Sequence, residues 1–148
     1  MIFLARSDHL ELLKTFADEV WVPEPVAEEI LHRGQHDITA RAIEKTDWLI
    51  RKPVGPIPAA ILDWRLGSGE STVLALAIEH RLEEIIDDLV GRCATCSGIP
   101  VRDTLGIVLA VKKRGIIQQA RPVIEDMLKT RLYLSKKVLD KALERVGK

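Results

Sequence analysis

Leu66-Gly67-Ser68-Gly69-Glu70-Ser71 runs directly into Thr72-Val73-Leu74-Ala75-Leu76-Ala77-Ile78. Glycines bracket a serine, a carboxylate follows, and then the chain is almost wholly apolar. The pattern predicts a buried helix from Gly69 to Glu79 with an acid in its first turn, since a helix apolar all round must be covered on several sides. A little further on, Ile85-Ile86 leads into Asp87-Asp88. That segment predicts a buried strand, Glu84 to Asp87, and a helix from Asp88 to Ser97 ended by Gly98. An unpaired buried charge is costly. Acids at the ends of buried elements therefore point to a partner cation, often a metal.

Outward from these segments, helices alternate with short apolar strands. Leu4 to Phe16 predicts a helix, with Leu10, Leu13 and Phe16 at helical spacing. Val20-Trp21-Val22 is a short strand stopped by Pro23, and Pro25 suits the first turn of a helix that runs to about Arg33 and ends at Gly34. Asp37 caps a helix through about Lys45, and Trp48-Leu49-Ile50 is a short strand. A turn-rich stretch, Pro53 to Pro58, precedes a helix from Ala59 to Trp64. Ile99-Pro100-Val101 is another short strand. Thr104 to Arg114, Arg121 to Lys129 and Ser135 to Val146 are helices, with Gly115 and Gly147 as stops. The alternation predicts an α/β fold, a small parallel sheet of three or four strands with helices on both faces. The chain of 148 residues, 47% of them apolar, is expected to form one domain, 1–148.

No apolar run approaches the ~18 residues a membrane helix needs. The start, Met1-Ile2-Phe3-Leu4-Ala5-Arg6, is not a signal peptide, because the charge follows the apolar stretch and the stretch is short. The expectation is a cytoplasmic protein with no membrane partner. Cys93 and Cys96 do not suggest a disulfide scaffold. As a C-x-x-C they are read as two small buried residues rather than a redox or zinc motif, and Gly34 spoils His32 and His36 as a helical ligand pair. Trp21, Trp48 and Trp64 are assigned to core or interface.

The zero net charge is unevenly spread. Residues 1–101 hold 10 Lys and Arg against 17 Asp and Glu, whereas residues 102–148 hold 12 against 5. The basic third is either a solvated helical tail or a surface for a polyanion. Lys112-Lys113-Arg114 suits an exposed helix end, where cations also complement the dipole.

The acids sort by face. Glu70, Leu74 and Ala77 fall at i, i+4 and i+7 and share one face, and Glu70 sits where the helix dipole favours negative charge. Glu29 shares a face with Val26, Ile30 and Arg33, while Glu28 points elsewhere. Asp87 and Asp88 lie at the C-terminal end of a strand, the edge at which open parallel sheets bind ligands. Singly these residues read as a cap (Asp88), a first-turn acid (Glu70) and half of an ion pair with Arg33 (Glu29). Together they make an acidic cation site, and oxygen ligands without histidine suit Mg²⁺ or Mn²⁺ rather than zinc.

The segments Val22-Pro23-Glu24-Pro25-Val26-Ala27-Glu28-Glu29-Ile30, Leu66-Gly67-Ser68-Gly69-Glu70, Ile86-Asp87-Asp88 with Arg92, and Thr104-Leu105-Gly106 running into Ala110-Val111-Lys112-Lys113-Arg114-Gly115-Ile116-Ile117 resemble PIN-domain proteins, in the branch related to VapC-type toxins. The resemblance implies a parallel α/β/α sandwich, acids that hold one or two Mg²⁺ or Mn²⁺ ions, and metal-dependent cleavage of RNA. By position it implies Glu29, Glu70 and Asp88 as the catalytic and metal-site acids, Asp87 as an adjacent or alternative ligand, and Thr104 as a polar neighbour. It further implies RNA as substrate, a small antitoxin protein as partner, and a homo-oligomer.

One part of the family pattern has no counterpart. The family opens on a strand that ends in Asp, normally a central metal ligand, and this chain opens on the apolar stretch that follows it. Asp8 does not substitute, since it is expected inside the following helix. Arg102-Asp103 also stands where the family often carries small or polar residues. Impaired nuclease activity is therefore expected, and the alternative is a non-catalytic PIN-like module that acts by dimerisation or partner binding.

Overall fold

A computed structural model of the chain describes residues 2–82, 84–85, 101–130 and 136–147. The chain divides into two compact units, one of Glu19–Asp103 and one of Met1–Asp18 with Thr104–Lys148.

The Glu19–Asp103 unit opens on β1 (Val20–Pro23), whose β-branched and aromatic residues suit a half-buried strand. Pro23 lacks an N–H and stands at the strand's last position, where it caps α2 (Glu24–Leu31), with Pro25 in the first turn. The helix stops two residues before the expected end, and Gly34 then turns the chain at φ +89°. Asp37 caps α3 (Ile38–Lys45) as expected. Its Oδ1 accepts from the backbone N–H of Thr39 at 2.9 Å and of Ala40 at 3.0 Å. Thr39 itself is fully buried, and its Oγ1 has no hydrogen-bond partner among the described residues. A buried hydroxyl left unpaired is destabilising, so Thr39→Val is expected to raise stability by about 1 kcal/mol, read as a higher urea midpoint at constant slope.

β2 (Leu49–Lys52) pairs with β1 in parallel, Val20 opposite Leu49 through Pro23 opposite Lys52. α4 (Ala59–Leu62) follows, then α5 (Ser68–His80), close to the expected range. Ser71, Thr72 and the run Leu74 to Ala77 are all buried, because α5 lies against α2, α4, β1 and the next strand, β3 (Glu84–Ile85). Leu74, Ala75 and Ala77 form a core cluster with Ile61, flanked by Val54, Ile57, Trp64, Leu66, Ile78 and Leu82. β3 pairs in parallel with β4 (Val101–Arg102).

The fold is α/β with parallel strands, as the alternation predicts. Among the described residues the strands form two separate pairs, β1 with β2 and β3 with β4. α5 packs on β1 and on β3 and so spans both. Within this unit Trp21 meets the His80 ring edge-on at 5.0 Å, lies under the Lys52 ammonium at 4.5 Å, and donates its Nε1–H to Glu19 at 2.8 Å. It is half-buried in a polar rim, whereas Trp48 belongs to the core.

In the other unit the single helix expected from Leu4 to Phe16 is broken. α1 (Ile2–Arg6) ends in a turn, and a 3₁₀ helix follows at Leu10–Thr15. Asp8 adopts φ +61°, a left-handed conformation that Asp tolerates better than most residues. The His9 N–H donates to the Leu4 carbonyl at 2.8 Å and the Asp8 N–H to that of Ala5 at 3.2 Å, which closes α1. Asp8 therefore stands in an exposed turn, and the expectation that it lies within a helix is corrected. The later helices are α6 (Thr104–Lys113), α7 (Ala120–Lys129) and α8 (Lys136–Val146). Leu4, Leu13, Ile107, Val108, Val111, Ile124, Met127 and Leu143 are fully buried between them.

Polar contacts tie the first segment down. The Arg114 guanidinium donates to the Thr15 carbonyl at 3.0 Å and stacks over Phe16. His9 Nε2 lies 3.2 Å from Asp126 Oδ2, whose other oxygen accepts from Lys129 at 3.0 Å. The Lys129 hydrogen bond, and after it that of His9, hold the Asp126 carboxyl below the usual carboxylate range. A lowered acid adds stability above its unfolded value and gives it up as pH falls through the folded one. Asp126→Asn is thus expected to flatten the loss of thermal stability in acid, with the melting temperature followed from neutral pH downward.

Candidate functional site

α5 begins at Gly67, and its first turn organises the site. Gly67 occupies the cap position in an extended conformation, and its carbonyl accepts the Ser71 N–H at 3.0 Å. The Gly67 N–H donates to Glu70 Oε2 at 2.9 Å. This is the returning arm of a capping box; the forward arm cannot exist, because glycine has no side chain. Thr72 tightens the turn by donating Oγ1–H to the Gly69 carbonyl at 2.7 Å. Leu74 and Ala77 are buried on the face they share with Glu70, but Glu70 itself emerges at the exposed rim and folds its carboxylate back on the helix start.

Glu29 approaches the same turn from α2. A Cβ placed on Gly69 would sit 3.6 Å from Glu29 Oε2 and 3.4 Å from Val26 Cγ2. Gly69 stands at the contact between α2 and α5, with room for a methyl group at ordinary contact distance, so one carboxylate lies beside the residue that precedes the other. Glu29 is 68% exposed and pairs loosely with Arg33, one turn on, at 4.0 Å. Two further acids of α2 are placed otherwise. Glu24 is held by Arg51 of β2 through two hydrogen bonds, one of them Nε to Oε2 at 3.2 Å. Glu28 lines a shallow depression with Leu31 and His32.

The structure therefore brings Glu29 and Glu70 to one turn. Asp87 and Asp88 lie outside the described residues, as do Arg92, Cys93 and Cys96. Thr104 is buried at the first position of α6, in the other unit. Among the described residues no group of three or more His, Cys, Asp or Glu is gathered closely enough to hold a metal. The donor chemistry of the two acids present, carboxylate oxygens without nitrogen or sulfur, fits a hard divalent cation. What sequence reasoning did not supply is Gly69 as the point at which α2 meets the first turn of α5.

Among the described residues no helix is long and apolar enough to cross a membrane. Comparison with curated proteins and with solved structures finds no match. The family model described as DUF3368, PIN domain, matches residues 1–148. Matched along its whole length, the chain belongs to the PIN-domain family.

Proposed function

We propose that this PIN domain is a metal-dependent ribonuclease in kind, with low turnover in this chain. Glu29, Glu70 and Asp88 serve as its acids, with Asp87 as an adjacent or alternative ligand. The observation that carries the reading is the placement of the Glu29 carboxylate against Gly69, at the turn that presents Glu70. A nuclease-type fold, an acid from α2 beside the first turn of α5 and hard-oxygen donors agree with Mg²⁺ or Mn²⁺ as the ion and an RNA phosphodiester as the substrate. A bound divalent ion supplies an acidified water and neutralises charge on the scissile phosphate. The residues of the chain hold the ion and orient the strand.

The present partners of the two acids compete with an ion: the Gly67 N–H holds one oxygen of Glu70, a hydrogen bond worth about 1 kcal/mol net, and Arg33 pairs loosely with the exposed Glu29. Weak ion binding is the expected result. Titration of the protein with MnCl₂ by calorimetry tests the reading, with RNA cleavage measured alongside. Weak Mn²⁺ binding that disappears in Glu29→Gln/Glu70→Gln is expected. Equal Mn²⁺ heats in parent and double variant would overturn it.

A toxin role, with a small antitoxin protein as partner and a homo-oligomer as the working form, rests on the same family resemblance. The second reading, a non-catalytic module that acts by association, draws on the division of the described strands into two short pairs. Short pairs offer open edges for pairing with another chain. Light scattering that shows a stable dimer, together with no Mn²⁺ heat, would favour it.

A further inference from the structure

The charge asymmetry follows the structural units. Met1–Asp18 with Thr104–Lys148 carries 13 Lys and Arg against 7 Asp and Glu, and Glu19–Asp103 carries 9 against 15. Within the basic unit, α8 arranges part of its charge in a line. Leu143 is fully buried and Ala142 nearly so, which fixes the inward side of the helix. Lys137, Lys141 and Arg145 are all exposed and follow one another at i, i+4 and i+8. They therefore form a row along the outward side, one cation per turn, about 6 Å apart along the axis. None of the three makes an ion pair or hydrogen bond among the described residues. Asp140 and Glu144 lie on the neighbouring row, which leaves the cationic row free of carboxylates. Other basic side chains of the unit are engaged: Lys112 donates to the Gln118 carbonyl at 2.6 Å, Arg114 to Thr15, and Lys129 to Asp126.

We infer that the Lys137–Lys141–Arg145 row of α8 binds the phosphate backbone of single-stranded RNA. A straight row of evenly spaced, unpaired cations complements a chain with one charge per residue. An anionic membrane fits less well, because the apolar side of α8 is spent on the protein core and none is left to enter lipid. The contact is to phosphate and so independent of base sequence. This inference rests on the reading of RNA as the substrate, and assigns α8 the task of holding the strand rather than cleaving it.

The test is fluorescence anisotropy with a short fluorescein-labelled oligouridylate, in EDTA so that the acidic site takes no part, on the parent and on Lys137→Gln/Lys141→Gln/Arg145→Gln. The triple variant is expected to bind about tenfold or more weakly, and the slope of log affinity against log salt to shrink by about 2, one phosphate contact per lost cation. Conservative replacement of all three by the other basic residue (Lys137→Arg/Lys141→Arg/Arg145→Lys) is expected to restore both. Equal affinity and slope in the parent and a folded triple variant would overturn the inference, as would a parent that binds no oligouridylate. Loss of self-association in the triple variant, with RNA binding unchanged, would overturn it in favour of a second copy of the chain. Because EDTA removes the metal, failure here leaves the Mn²⁺ result standing, and failure of the Mn²⁺ titration leaves this one standing.

Discussion

Truncation of Leu74 to alanine is expected to cost about 2–5 kcal/mol, the range for a fully buried leucine. Leu74 has no exposed surface and anchors the cluster of Ile61, Ala75 and Ala77. Its neighbours within that cluster on α5 are alanines, which cannot swing in to fill the space, so any relaxation must come from Ile61 and the larger side chains that flank the cluster. A domain of this kind has about 5–15 kcal/mol in total, so one substitution removes a large share. Urea unfolding followed by circular dichroism reads the effect as a lower midpoint at unchanged slope. A loss under about 1 kcal/mol would mean that α5 is not packed as described. Because Leu74 lies one turn beyond Glu70, the variant also loosens the helix that presents the acid.

Glu70 separates two roles in one side chain. Glutamine keeps a carbonyl oxygen that can accept the Gly67 N–H, so Glu70→Gln is expected to leave the melting temperature nearly unchanged. Alanine loses the hydrogen bond, and Glu70→Ala is expected to lose about 1 kcal/mol, or a few degrees. Both variants lose the charge, and both are expected to weaken Mn²⁺ binding by about tenfold or more, since even partners behind the ligands cost 10–100-fold. Calorimetry and thermal melts on the same two proteins decide the matter. If Glu70→Gln binds Mn²⁺ as the parent does, Glu70 is a cap and nothing more.

The local punctuation of this chain was legible in its sequence. Asp37, Pro25 and Gly115 mark element ends by their own side-chain or backbone chemistry, and the structure uses each where the sequence places it, while Gly34 turns the chain just beyond a helix that ends earlier. The break at Asp8 was not legible, because apolar spacing over Leu4 to Phe16 fits one helix as well as a short helix, a turn and a 3₁₀ segment. Strand pairing is settled between residues far apart, so the alternation announced parallel strands without saying which pairs form. Lys112 and Arg114 stand at an exposed helix end, as expected. What spacing alone did not show is that they also reach the carbonyls of Gln118 and Thr15, since a basic side chain at a helix end reaches whatever carbonyl lies near.

In the candidate site, the approach of Glu29 to Gly69 joins residues far apart in the chain, and apolar spacing along each helix does not show it. The folding back of Glu70 was written in the sequence: Gly67 and Glu70 stand at the spacing of a capping box. That signal is easily missed when the cap residue is glycine, which brings only a backbone N–H to the partnership.

Gly69 makes the separation of the two acids tunable from outside. Alanine there adds a methyl group at ordinary contact distance from Val26 and Glu29, and it trades glycine for a better helix former. Gly69→Ala is accordingly expected to raise the melting temperature slightly. Valine adds two more carbons to the same gap and acts as a shim that levers α2 off the first turn of α5. A graded series at this one position would then vary the spacing of the carboxylates while leaving both of them chemically intact, and Mn²⁺ affinity measured along it would read the site as a caliper does.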